Sequence, residues 1–179
     1  VTKSSPRRYE EKRHYQRRKG VPLHGTHRLA PADLYPGEEV TMKNILARSL
    51  ALVGRCSTAL VGSVDSAGFP NIKAMLKMEN EGLSTFWFST NNSAKRTARF
   101  RENPRACVYF MDDESFTGLM LVGNMETLQD PDSRKRLWRD GFERYYPLGV
   151  NDPDYTVLRF TAERGNLYSN LENVDFEVQ

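Results

Sequence analysis

Between residues 56 and 89 the sequence permits little besides a β-meander, and that run restricts the fold more than any other part of the chain. Residues 56–65 read as a strand that ends in the turn Asp65-Ser66-Ala67-Gly68-Phe69-Pro70. The next stretch, 71–78, alternates between two sides, with Lys73, Met75 and Lys77 on one and Ile72, Ala74, Leu76 and Met78 on the other. A short turn, Glu79-Asn80-Glu81-Gly82, leads to a third strand over 83–89. Connections this short join antiparallel neighbours, because a parallel crossover needs a dozen or more residues.

The flanking segments extend the pattern. Met42, Ile45, Leu46, Leu50 and Val53 recur at helical spacing from about Thr41, and Gly54 ends them. A second helix is predicted over about 93–102, stopped by Asn103-Pro104. Residues 106–111 and 117–128 are β-rich. Asp130-Pro131 opens a third helix, with Leu137, Trp138, Phe142 and Tyr145 on one side, and Pro147-Leu148-Gly149 closes it. Strands over 155–161 and 165–169 complete the series. Six or seven strands with three helices predict a mainly β fold, an antiparallel barrel with peripheral helices. A doubly wound α/β fold is disfavoured, since helices do not alternate with strands and G-x-G-x-x-G is missing.

Charge divides the 179 residues unevenly. Residues 1–30 hold nine Lys/Arg and two Glu, a net of +7 against +3 for the whole chain, so the other 149 carry −4. We read residues 1–40 as a basic arm, flexible or dimer-wrapping, residues 41–170 as the folded domain and 171–179 as a C-terminal tail. Such an arm can bind phosphate backbones, so nucleic acid is a conceivable partner there. His14, His24 and His27 all lie in the arm. The body therefore lacks the imidazole of a Ser-His-Asp triad, a Cys-His pair or a His-ligated zinc site. No run approaches the roughly 20 apolar residues of a membrane span. Two cysteines and no apolar signal core point to a reducing, cytoplasmic setting.

Chemistry concentrates in Phe88-Ser89-Thr90-Asn91-Asn92-Ser93-Ala94-Lys95-Arg96, where a strand meets a helix. The first N–H groups of a helix have no partner inside it and attract anions. Lys95 and Arg96 occupy the first turn, where the dipole disfavours cations. The helix opening at Asp130 carries Asp130 and Asp132 instead. A bound anion reconciles the cationic start; a plain Asn cap with solvated cations is the simpler alternative. Lys73 and Lys77 share a strand face, which suits either an anionic ligand or solvent. Phe86, Trp87, Phe88, Tyr109, Phe110 and Trp138 could wall a slot for a planar cofactor or simply build core.

Four stretches, in order, resemble the pyridoxamine-phosphate-oxidase-like FMN-binding split barrels, general stress protein branch. They are Leu60-Val61-Gly62-Ser63-Val64-Asp65-Ser66-Ala67-Gly68-Phe69-Pro70 with Lys73-Ala74-Met75; Phe86-Trp87-Phe88-Ser89-Thr90 with Ser93-Ala94-Lys95; Glu102-Asn103-Pro104-Arg105-Ala106; and Gly123-Asn124-Met125-Glu126 through Tyr145-Tyr146-Pro147-Leu148-Gly149 to Asp152-Pro153-Asp154-Tyr155. The resemblance implies a six-stranded antiparallel split barrel, a homodimer and an FMN in each of two interface clefts. It implies that Lys73 contacts the flavin phosphate and that Ala74, Met75 and Leu76 flank the isoalloxazine. Ser89, Thr90, Ser93 and Lys95 would hold phosphate beside Phe88. Ala94 stands where many relatives have Arg, which leaves Arg96 to share the load. The C-terminal Arg-x-His of true pyridoxamine-phosphate oxidases is missing, so a different small molecule is the expected substrate. The function implied is a flavin-dependent oxidoreductase. The alternatives are a non-catalytic stress-response module holding flavin, haem or deazaflavin, and a basic arm docked on nucleic acid.

Overall fold

The computed structural model describes residues 41–178. The proposed arm, 1–40, lies outside the described residues. Helix α1 (Met42–Arg55) starts at Thr41, whose hydroxyl accepts from Asn44 N at 3.3 Å. Its Ile45, Leu52 and Val53 are buried. The strands β1 (Thr58–Val64), β2 (Pro70–Leu76), β3 (Glu79–Glu81) and β4 (Thr85–Asn91) follow. After α2 (Lys95–Glu102) come β5 (Arg105–Asp112) and β6 (Thr117–Leu128). Helix α3 (Pro131–Leu137) precedes β7 (Tyr155–Ser169) and β8 (Glu172–Glu177).

All pairings are antiparallel, in the order β2-β1-β5-β6-β7-β4-β3, with β8 on the far half of β7. The sheet curls into a half-barrel. The edge strand β2 and the penultimate strand β4 approach each other without forming a ladder. The chain crosses this slit directly, since Met78 N, just after β2, donates to Trp87 O of β4 at 3.0 Å.

The continuous apolar run Phe86-Trp87-Phe88 is explained by burial on both sides of β4. Phe86 and Phe88 join Phe110, Phe160, Leu119 and Leu121 in the main core under α1. Trp87 faces the opposite way, into a smaller cluster with Leu137, Tyr146, Tyr155 and Val157. Each ring so buried contributes roughly 1.5–3 kcal/mol relative to exposure.

Several expectations need correction. The helix from Asp130 breaks after Leu137. Trp138 is extended, Gly141 is left-handed (φ 89°), and a 3-10 turn over Phe142–Arg144 resumes the path. Two short turns thus bring Leu137 and Phe142 to one cluster as a single helix would. The two last strands are one continuous β7. Ala162 pairs with Gly123 and Arg164 with Val122, which leaves Glu163 as a bulge. Gly123 permits the close approach, because a Cβ there would lie 2.0 Å from Thr161 O. The supposed tail supplies β8, whose Phe176 ring covers Gly165. Among the described residues the sheet has eight strands rather than six or seven.

Strand β2 sets its faces unexpectedly. Met75 is buried, whereas Ile72 and Leu76 are 61% and 66% exposed. Half-buried Lys77 turns its head group back onto the protein. Its Nζ donates to Val53 O at 2.5 Å and so caps the C-terminal end of α1. Burial pushes its pKa down.

Candidate functional site

The slit between β2 and β4 holds a cleft of about 240 Å³. Ala74, Met75, Leu76 and Met78 form one wall, Ser89 and Arg96 another, and Phe142, Tyr145 and Tyr146 a third. Three sequence-distant segments meet here because the barrel fails to close at this seam. Arg96 is the charged side chain among these residues. Its Nε donates to the hydroxyl of buried Thr90 at 2.9 Å, which fixes the guanidinium beside the cleft. The Ser89 hydroxyl lies 3.5 Å from Tyr155 Oη, and Tyr155 Oη donates onward to Arg134 O at 3.3 Å. Tyr146 Oη donates to Asn91 Oδ1 at 3.4 Å. Burial pushes both phenols upward in pKa, so they stay neutral near pH 7.

The sequence-predicted residues divide. Ala74, Met75, Leu76 and Ser89 line the cleft. Thr90 reaches it through Arg96. Lys73 is exposed on the face of β2 that carries Met75, and Ser93 and Lys95 are exposed at the start of α2. Phe88 is 0% exposed within the core, so its ring is no cofactor wall.

The amide-rich loop also differs from expectation. Asn92 N donates to Asp154 O at 2.6 Å and Ser93 N to Asp154 Oδ1 at 2.7 Å, while Asn91 Nδ2 donates to Asp154 Oδ2 at 2.7 Å. The side-chain amide of Asn91, followed by Ser93 N–H, holds the Asp154 carboxyl below the usual aspartate range. Asp154 therefore takes both amides, that of Asn92 on its backbone carbonyl and that of Ser93 on its carboxylate, and neither can also cradle a guest. Anion-attracting character shifts to the first turn of α2. There Ala94 gives no side-chain cap and no acidic residue is present.

Sequence reasoning missed Met78, Phe142, Tyr145, Tyr146 and Asp154. Only the aromatic spacing after Asp130 hinted at the third wall. An acidic residue 61 positions from Ser93 gave no local signal.

Fold and cleft together define a split-barrel protein with a recess at its slit. The family model for pyridoxamine 5'-phosphate oxidase matches residues 46–169, and the chain belongs to that family, on its general stress protein branch. A Clostridium acetobutylicum protein related to general stress protein 26 of B. subtilis is 47% identical, with a TM-score of 0.71 over 77% of this chain and 97% of that one. General stress protein 26 from Bacillus anthracis is 14% identical, with a TM-score of 0.61 over 74% of this chain and 99% of that one. A heme binding protein from Mycobacterium smegmatis, also 14% identical, gives 0.58 over 74% of this chain and 56% of that one. No curated protein matches the chain.

Proposed function

We propose that the protein is an FMN-binding flavoprotein, a flavin-dependent oxidoreductase acting on a small molecule. The observation that carries this reading is the cleft itself: apolar walls about a recess, with Arg96 oriented by Thr90 beside an uncapped helix start. That donor set fits a planar ring with an anionic tail. Arg96, Lys95 and Lys73 would hold the phosphate with Ser89 and Ser93, while Thr90 steadies Arg96. Ala74, Met75 and Leu76 would flank the ring. Bound flavin supplies the hydride or electron transfer, and the protein supplies position and electrostatics. A histidine-free cleft is compatible with that division of labour.

The reading includes a homodimer. Ile72, Ala74, Leu76, Leu60 and Met120 lie on one exposed sheet face, as the registers Leu60–Ala74, Leu60–Tyr109 and Tyr109–Met120 require. Such a contiguous apolar face suits a second copy of the chain. A 240 Å³ cleft falls short of the ~300–1,000 Å³ of ligand sites, which favours a recess completed by that copy. The unpaired thiols Cys56 and Cys107 agree with a cytoplasmic setting. Among the described residues no helix is long and apolar enough to cross a membrane.

A visible spectrum before and after adding FMN tests the reading. Uptake with flavin absorbance bands supports it; a colourless protein that takes up no FMN overturns it. A second reading, haem binding without catalysis, draws on Met75, Met78, Tyr145 and Tyr146 in the cleft, since methionine and tyrosine can serve as axial ligands. A Soret band on haem titration, with no FMN uptake, would favour it.

A further inference from the structure

The Glu79 carboxylate holds two guanidinium groups at once. Arg136 Nε donates to its Oε2 and Arg139 Nη2 to its Oε1, each at 2.8 Å. Arg136 also donates to Glu81 Oε1 at 3.1 Å. The β3–β4 register sets Glu79 opposite Trp87 and Glu81 opposite Thr85, so these residues share one face of the ribbon. The Arg136 guanidinium carbon lies 4.0 Å from the centre of the Trp87 ring, within cation–π range. Arg139 also ties down the point where α3 breaks, since its Nη1 donates to the carbonyls of Arg136 and Trp138, both at 2.9 Å.

An isolated exposed ion pair contributes little, whereas a carboxylate shared by two arginines restricts both chain segments that carry them. Those segments are the two sides of the slit. Met78, one residue before Glu79, belongs to one wall of the cleft; Phe142, Tyr145 and Tyr146, shortly after Arg139, form another. The cluster itself stands outside the cleft lining. We propose that Glu79 is a positioning residue for the cleft. By gathering Arg136 and Arg139 it fixes the ring wall against the Met78 wall, and so sets how tightly a flat guest is gripped without touching it. The affinity part of this inference rests on the flavin reading above; the positioning part does not.

Two readouts test it, both well below the melting temperature. Hydrogen exchange by NMR, with no guest present, follows the amides of Tyr145 and Tyr146, which donate to Phe142 O at 2.8 and 2.9 Å. Both should exchange about fivefold faster in Glu79→Gln. They should keep the wild-type rate in Arg55→Gln, which breaks the exposed pair with Asp112 elsewhere. Fluorescence quenching then gives the affinity for FMN and for lumiflavin, which has the ring without the phosphate tail. Glu79→Gln should weaken both about three- to tenfold, because the walls grip the ring. Arg139→Gln should match it, and the double variant should lose no more than about either single one. Should Glu79→Gln fail to fold, Arg139→Gln carries the same comparison. A lower melting temperature with unchanged exchange or unchanged ring affinity overturns the proposal, since the cluster would then serve stability alone. A loss confined to FMN, or lumiflavin that does not bind an FMN-binding wild type, also overturns it. A wild type that takes up no flavin removes the flavin reading, and the exchange rates alone then decide whether Glu79 positions the wall.

Discussion

Arg96 Nε and the Thr90 hydroxyl lie 2.9 Å apart, and that bond turns a helix-surface cation toward the cleft. Its neighbour Lys95 is exposed. Arg96→Met should therefore weaken FMN binding about ten- to a hundredfold, the loss expected for a charge-assisted contact. Lys95→Ala should cost only about threefold, as solvent screens an exposed charge. Flavin fluorescence titration measures both. Equal effects of the two would contradict the assignment of Arg96.

Asp154 gathers the loop before α2 through Asn91, Asn92 and Ser93. Asp154→Ala should destabilise the fold by about 1–3 kcal/mol in urea denaturation, because three polar groups lose or loosen their partner.

The same residue gives a pH dependence of defined sign. Its folded pKa is depressed, chiefly by Asn91, so its stabilisation is complete above the unfolded value of about 4 and disappears as pH falls through the folded value. Asp65, held low chiefly by Phe69 N–H, and Asp130, held low chiefly by Ser133 N–H, act in the same direction. The melting temperature should fall steeply below about pH 4, and less steeply in Asp154→Asn. A flat profile between pH 5 and 2 would refute this.

Gly123→Ala should cost about 1–3 kcal/mol, because the new Cβ would meet the Thr161 carbonyl oxygen in the β7 backbone. Gly54→Ala, which meets open space at the end of α1, should be neutral or gain up to about 1 kcal/mol. Thermal melts of the pair separate close packing from chain entropy.

Charge on the exposed sheet face should separate the subunits of the proposed dimer. Leu60→Glu with Ile72→Glu should shift the light-scattering mass from twice 20.6 kDa to 20.6 kDa. An unchanged mass would exclude this face as the interface.

The sequence reveals elements set by local forces. Thr41 caps α1, Gly54 falls one residue short of its end at Arg55, and β6 appears at its observed limits, 117–128. Elements decided by distant partners were less visible. Glu163 reads as a turn residue in isolation, yet the absent side chain of Gly123 lets it bulge inside one long strand. Strand β8 carries Val174 and Phe176 in alternation, and Val178 just beyond it continues the pattern, but its charged residues made a tail the easier expectation.

The cleft divides in the same way. The family resemblance brought Ala74–Leu76 and Ser89 together, and the unusual charge of the α2 start pointed to Lys95 and Arg96. Which of the two turns inward depends on Thr90, and the ring wall depends on a reversal at Gly141 (φ 89°). Neither follows from spacing along one element.

Strand β2 presents Ile72 and Leu76 to the outside, seats Met75 in the core and borders the cleft, all within seven residues. Efforts to make the protein easier to handle by replacing the greasy outer positions of this ribbon will therefore disturb guest affinity as well. Solubility tags placed elsewhere are the safer route.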